Sequence, residues 1–169
     1  MTTDASARGR ANRNRGSKAE LDVAKWFRPN GFPQAERAVR TGYTTTTRTS
    51  ADPGDLTGLG DVVVSIKDVD EDRARQPAVL AGWLAELDAM AAPAGAVRLL
   101  VAKRRGSADP GSWWCWMRLR TLAGLLAETA GRFDVELVAE PDAPVRMQLA
   151  AVVPLLRAAG HGDPLDAAA

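Results

Sequence analysis

Histidine and cysteine are almost absent from this chain, each occurring once, as His161 and Cys115. A single cysteine excludes an internal disulfide and any zinc site built from several cysteines. A single histidine excludes a multi-histidine metal site. Its place in a Gly/Pro/Ala-rich C-terminal stretch also argues against a histidine-based triad and reads as a tail position. No run of about 18 apolar residues occurs, so no segment reads as a membrane span. The opening Met1-Thr2-Thr3-Asp4 lacks the apolar core of a signal peptide, and the expectation is a cytoplasmic protein. Chemistry, if there is any, falls to carboxylates, lysine and an oxygen-loving cation.

What is present suits one domain with a sizeable core: 169 residues, 46% of them apolar and 25% charged. The net charge of +1 conceals an uneven distribution. Arg8, Arg10, Arg13, Arg15 and Lys18 face a single Asp4 at the start, and Lys103-Arg104-Arg105 forms a second basic cluster. Phosphate binding depends on such local patches rather than on overall charge. Arg13, Arg15, Lys18, Lys103, Arg104 and Arg105 are therefore the candidate nucleic-acid contacts, the alternative for the N-terminal group being a solubilising tail.

Along the chain, residues 1–16 are polar, Arg/Asn/Gly-rich and aperiodic, and are expected to form a disordered basic arm. Residues 17–160 are expected to make one domain, and 161–169 a flexible tail. A first helix is expected from Ser17, with Glu20 at the capping-box position, stopping at Pro29-Asn30-Gly31. Arg37–Thr41 reads as a strand and Thr44–Pro53 as a mobile loop. Asp55–Gly58 is a short extended segment expected to pair as a hairpin with the strand Asp61–Lys67. Along that strand Val62, Val64 and Ile66 share one face, and Asp61, Val63, Ser65 and Lys67 the other. Asp68–Arg75 reads as a charged loop. Pro77–Met90 reads as a helix with Leu80, Trp83, Leu84 and Leu87 on one face. Strands at Ala96–Ala102 and Trp113–Leu119, a helix at Thr121–Ala130, an edge strand at Phe133–Val138 and a final helix at Val145–Ala159 complete an α/β domain with a mixed sheet.

The stretch from Asp55 to Lys67, D-L-T-G-L-G-D-V-V-V-S-I-K, carries the most chemistry. A carboxylate leads one short segment and a lysine ends the next strand. Phosphodiester hydrolysis needs a polarised phosphoryl group, an activated water and a stabilised leaving oxygen. Mg²⁺ or Mn²⁺ held by carboxylates beside a lysine can supply them. Glu20 on the first helix can complete the acidic cluster. Asp61 is on the same strand face as Ser65, but four residues away is roughly 13 Å, too far to share one ion.

These residues resemble the PD-(D/E)xK nuclease superfamily, and within it the Holliday junction resolvase-like proteins of actinobacteria and their phages. The likeness rests on G-S-K-A-E (16–20), P-G-D-L (53–56), V-V-V-S-I-K-D (62–68), A-G-W (81–83), V-A-K-R-R-G (101–106) and P-G-S-W-W (110–114). It implies a restriction-endonuclease-like fold, a central mixed β-sheet flanked by helices. It also implies Mg²⁺- or Mn²⁺-dependent cleavage of branched or double-stranded DNA, often by a homodimer. Glu20, Asp55 and Lys67 match the family's site residues, the two carboxylates as metal ligands and Lys67 as the catalytic lysine. Ser65 departs from the pattern, since a carboxylate is expected there, and Glu86 on the following helix is the candidate replacement ligand. The alternatives are a catalytically weakened relative that binds nucleic acid or a protein without cutting, and an assembly protein using the tryptophan strand. Trp113, Trp114 and Trp116 read as core or interface packing rather than base-stacking platforms, with at least one facing away from the core. Cys115 reads as an inert packed thiol.

Overall fold

The structure, a computed structural model, describes residues 3–38, 54–69, 71–90, 95–130 and 140–164. Its centre is a four-stranded mixed sheet in the order β3-β4-β5-β6, flanked by helices on both faces. Strand β3 (Val62–Lys67) runs parallel to β4 (Val97–Ala102), and α3 (Pro77–Ala89) crosses between them. Strand β5 (Trp114–Arg118) is antiparallel to β4, and β6 (Pro144–Gln148) is antiparallel to β5. A separate two-stranded ribbon pairs β1 (Glu36–Arg37) with β2 (Leu56–Thr57).

The alternation of side chains along β3 assigns the two faces. Val62, Val64 and Ile66 join Leu99, Val101, Cys115 and Met117 in the larger core. Helix α1 (Thr3–Phe27) seals it with Val23 and Phe27, α4 (Leu119–Ala130) with Leu125, and α5 (Leu149–Ala158) with Leu149, Val152 and Leu156. Val63 and Leu100 on the opposite face meet Leu80, Leu84 and Leu87 of α3 in a smaller core. Both the strand periodicity and the α3 face are therefore as the pattern of apolar residues requires.

Several elements differ from expectation. Helix α1 is already formed at Thr3, so the stretch expected to be a disordered arm is helical, and Ser17 lies inside the helix rather than capping it. Arginine and alanine are good helix formers, and no proline interrupts the chain before Pro29. The expected stop holds: a 3-10 turn at Arg28–Asn30 follows, and Asn30 Nδ2 donates to the Trp26 carbonyl at 2.6 Å. Within the expected charged loop, Glu71–Ala74 forms the one-turn helix α2, anchored by buried Ala74.

The final helix begins at Leu149, and Pro144–Gln148 is strand β6. Its side chains alternate between half-buried Val145 and Met147 and exposed Pro144, Arg146 and Gln148. Proline at the first position of such a strand removes no interior ladder bond. The expected hairpin of Asp55–Gly58 with β3 is replaced by the β1–β2 ribbon, with one parallel bridge from Gly54 to Val64. A side chain at Gly58 would stand 1.8 Å from the Gln34 carbonyl oxygen, so only glycine lets the ribbon close.

The C-terminal stretch is docked as far as Pro164. Asp163 N–H donates to Gly31 at 2.7 Å, and Arg157 Nε donates to the Asp163 carbonyl at 2.8 Å. His161 Nδ1 lies 2.8 Å from Asp61 Oδ1. The expectations for Thr44–Pro53 and Phe133–Val138, and the end of the Arg37–Thr41 strand, lie outside the described residues. Among the described residues no helix is long and apolar enough to cross a membrane.

Cys115 is wholly enclosed between the sheet and its helices, and burial pushes its thiol up from 9.0 to about 12. The neutral thiol is thus favoured in the folded state. The stability it contributes is complete below pH 9 and is lost as pH rises from about 9 towards 12. In the native protein at pH 8, Cys115 is expected to resist alkylation, and to react only after denaturant unfolds the chain.

Candidate active site and nucleic-acid interface

Asp55 is seated against the outer edge of β3. Its backbone N–H donates to the Val64 carbonyl at 2.8 Å, and its Oδ2 accepts from the Ile66 N–H at 2.6 Å. Gly54 makes this seat possible. It has φ 82°, and a Cβ there would stand 2.4 Å from the Val64 carbonyl oxygen. Only glycine allows the chain to approach the strand this closely.

Lys67, the residue after Ile66, ends β3 where the strand leaves the core. Its ammonium lies 3.4 Å from Glu86 Oε2 and 5.8 Å from the centre of the Trp83 ring, both on α3. The candidate replacement carboxylate is therefore beside the candidate catalytic lysine. An ion pair this exposed is worth about 1 kcal/mol or less, so a ligand can displace it at little cost. Ser65, on the α3 side of the same strand, is 2% exposed and is the one buried polar side chain among the described residues.

Glu20 is turned to a different partner. Its Oε2 lies 2.6 Å from Arg37 Nε, which ties α1 to the ribbon beside Asp55. Among the described residues no three acidic, histidine or cysteine side chains are grouped to hold a metal ion. Magnesium does not require such a cage, because it keeps several waters and is commonly held by one or two carboxylates plus substrate phosphates. Asp55 accepts from Ile66 and Glu86 from Lys67, the last two residues of β3.

Beside this strand end lies a basic groove of about 630 Å³. Arg15 of α1, Arg73 of α2 and Lys103, Arg104 and Arg105 after β4 line it, with Asp68 as the one carboxylate. A second groove of about 690 Å³ shares Lys103, Gly106 and Ser107 with the first, and continues along α1 past Lys18, Lys25 and Trp26. The parallel pairing of β3 and β4 accounts for their position. Lys103 N–H donates to the Lys67 carbonyl at 3.0 Å, so the basic loop and the candidate lysine emerge at the same end of the sheet. Lys103 also pairs with Asp68 at 3.4 Å, and Lys18 with Asp22 at 2.7 Å.

Five of the six residues expected to contact nucleic acid, Arg15, Lys18, Lys103, Arg104 and Arg105, thus line two connected grooves, while Arg13 is exposed on α1. Lys25 and Arg73 join them without having been singled out. For Lys25 the signal was present: Arg15, Lys18, Asp22 and Lys25 recur at helical spacing along one face. Of these four only Arg15 falls in the stretch read as a disordered arm, and the other three lie on the helix expected from Ser17. Arg73 carried no such signal, because its place depends on the fold of α2 against the β4–β5 loop.

No protein-family model, no curated protein and no solved structure matches the chain.

Gly54→Ala is expected to destabilise the protein by about 2 kcal/mol or more, through strain at positive φ and the clash with Val64. Gly82→Ala, on the exposed side of α3 with nothing within 4 Å, is expected instead to stabilise by roughly 0.5–1 kcal/mol. Denaturant midpoints of the two variants check the contrast.

Proposed function

We propose that this protein acts on DNA as a metal-dependent endonuclease, holding the phosphate backbone in the basic groove and hydrolysing it at the end of β3. The observation that carries the reading is the juxtaposition of two features. Asp68, the residue after Lys67, lines the groove, so the strand end bearing Lys67, with Asp55 at its edge and Glu86 beside it, adjoins the groove. The helix-flanked mixed sheet, with a parallel β3–α3–β4 crossover, is compatible with the restriction-endonuclease-like fold that the resemblance implies.

Arg15, Arg73, Lys103 and Arg105 would bind backbone phosphates, each contact releasing counterions and adding affinity without sequence preference. Asp55 and Glu86 would hold Mg²⁺ or Mn²⁺, which when bound polarises the phosphoryl group and lowers the pKa of a bound water. Lys67 would donate to the phosphate oxygens as negative charge grows there, once released from Glu86. Glu20 would act through Arg37, steadying the ribbon that presents Asp55.

A second reading, a protein of the same shape that binds DNA without cutting it, is favoured by Ser65. This position is buried and neutral where the family's pattern has a carboxylate. The two readings separate on a four-way junction and a supercoiled plasmid, each incubated with Mg²⁺ and with Mn²⁺. The endonuclease reading expects cleavage that falls at least 100-fold in Asp55→Asn and in Lys67→Ala while DNA affinity is retained. Binding that persists in EDTA with no cleavage in either metal selects the second reading.

The groove is tested apart from the chemistry. Arg105→Ala and Arg73→Ala are each expected to weaken duplex binding and reduce the slope of log affinity against log salt by about 1. An unchanged slope in both variants would place the DNA elsewhere.

A further inference from the structure

Among the described residues, helix covers only half of the sheet face opposite the larger core. Register places Ser65, Leu100, Trp116 and Arg146 in one row across the four strands, and Lys67, Ala102, Trp114 and Gln148 in the next. Helix α3 covers the β3–β4 half of these rows through Leu80, Leu84 and Leu87, and Asp88 near its end takes Arg118 at 2.8 Å. On the β5–β6 half, half-buried Trp116 packs against the edge of the α3 core, and half-buried Trp114 lies beyond it beside exposed Arg146.

The side chains of that half form a flat cationic stack. The Arg146 guanidinium lies 4.3 Å from the centre of the Trp114 ring and 5.4 Å from that of Trp116. Arg104 lies 5.2 Å from the Trp114 ring and also lines the basic groove. The stack is therefore continuous with the groove through one residue. Two positions along a strand place the tryptophans roughly 7 Å apart on the same face. A four-stranded sheet carrying aromatic side chains in this way is one arrangement that stacks two or three unpaired bases.

We propose that the β5–β6 face is a base-stacking platform centred on Trp114, and that it takes the unpaired bases of single-stranded DNA. The proposal rests on the groove holding a DNA backbone: phosphates lie along Arg15, Lys103 and Arg105, and the bases that follow pass Arg104 onto Trp114. Indole faces accept flat partners, whether guanidinium or nucleobase, and every base has such a face, so the platform is indifferent to sequence. An intact duplex keeps its bases stacked inside and offers the platform nothing. The cationic rim gives the face an anionic occupant, which a purely apolar partner would not satisfy.

The test is fluorescence anisotropy with a labelled single strand and a blunt duplex of equal length, in EDTA at fixed salt. Trp114→Ala is expected to weaken single-strand binding about fivefold or more relative to duplex binding, with Trp114→Phe restoring most of the difference. Arg105→Ala is expected to weaken both and leave their ratio unchanged. Thermal unfolding of each variant confirms that the fold is intact, and the phenylalanine variant carries the comparison if alanine unfolds the protein. A ratio unmoved by Trp114→Ala, with Arg105→Ala still weakening duplex binding, overturns the platform and leaves the groove standing. A dimer in sedimentation that Trp114→Ala dissociates, with the ratio again unmoved, assigns the face to a second copy of this chain. No binding of either DNA by the unmodified protein overturns both readings.

Discussion

Burial of β3 on both faces is the constraint on which the rest of the molecule depends. Five consecutive residues, Val62 to Ile66, are buried, and a one-residue slip would exchange the contents of the two cores. Register is thereby set without a turn to set it. Once it is set, everything attached to the strand inherits a fixed position. Asp55 hangs on its outer edge by two hydrogen bonds, Lys67 leaves the core at its end, and Ser65 is held under α3.

The parallel partnership of β3 and β4 then decides where charge accumulates. Two parallel strands joined by a crossover helix release their following loops at the same end of the sheet. Here those loops are Asp68–Val69 and Lys103–Arg105, and a main-chain bond from Lys103 to Lys67 holds their origins together. Ligands of open α/β sheets commonly bind outside the carboxyl ends of parallel strands for the same topological reason. The antiparallel turn of the chain into β5 carries the tryptophans back across the other half of the face. Backbone charge and flat aromatic surface thus come from one loop and the strand it feeds.

How much of this was legible in the sequence depended on how local each signal was. The two-residue period of β3, the helical face of α3 and the apolar run of β4 are complete within their own segments, and they match the structure within a residue or two. The start of α1 was obscured because its composition resembles a disordered tail, whereas its helical face of Arg15, Lys18, Asp22 and Lys25 is a spacing signal. Strand β6 was obscured because Val145 and Met147 extend the apolar pattern of α5, and only pairing with β5 makes them a strand. The partner of β2 and the course of the grooves were beyond local reading, since each joins segments far apart in the chain. For the candidate site, Asp55, Lys67 and Glu86 could be singled out from the sequence, and Glu86 lies 3.4 Å from Lys67, but the Arg37 bond that occupies Glu20 could not be read there.

Ser65 concentrates the remaining physical tension in one position. A carboxylate there, 2% exposed and in register with buried Leu100, would have to be neutralised by a cation to remain charged. A serine carries no such requirement and lets the strand stay buried whether or not a metal is bound. On the proposed endonuclease reading the cost is one fewer anionic donor, which would shift the demand to Glu86. That side chain is 63% exposed and, among the described residues, pairs with Lys67 at 3.4 Å, so it can turn to an ion without disturbing the core. A site that exchanges a buried ligand for a mobile surface one trades metal affinity for a core indifferent to the metal. On the proposed endonuclease reading such a site would fill most readily when substrate phosphates contribute ligands of their own, which would couple metal occupancy to the presence of DNA in the groove.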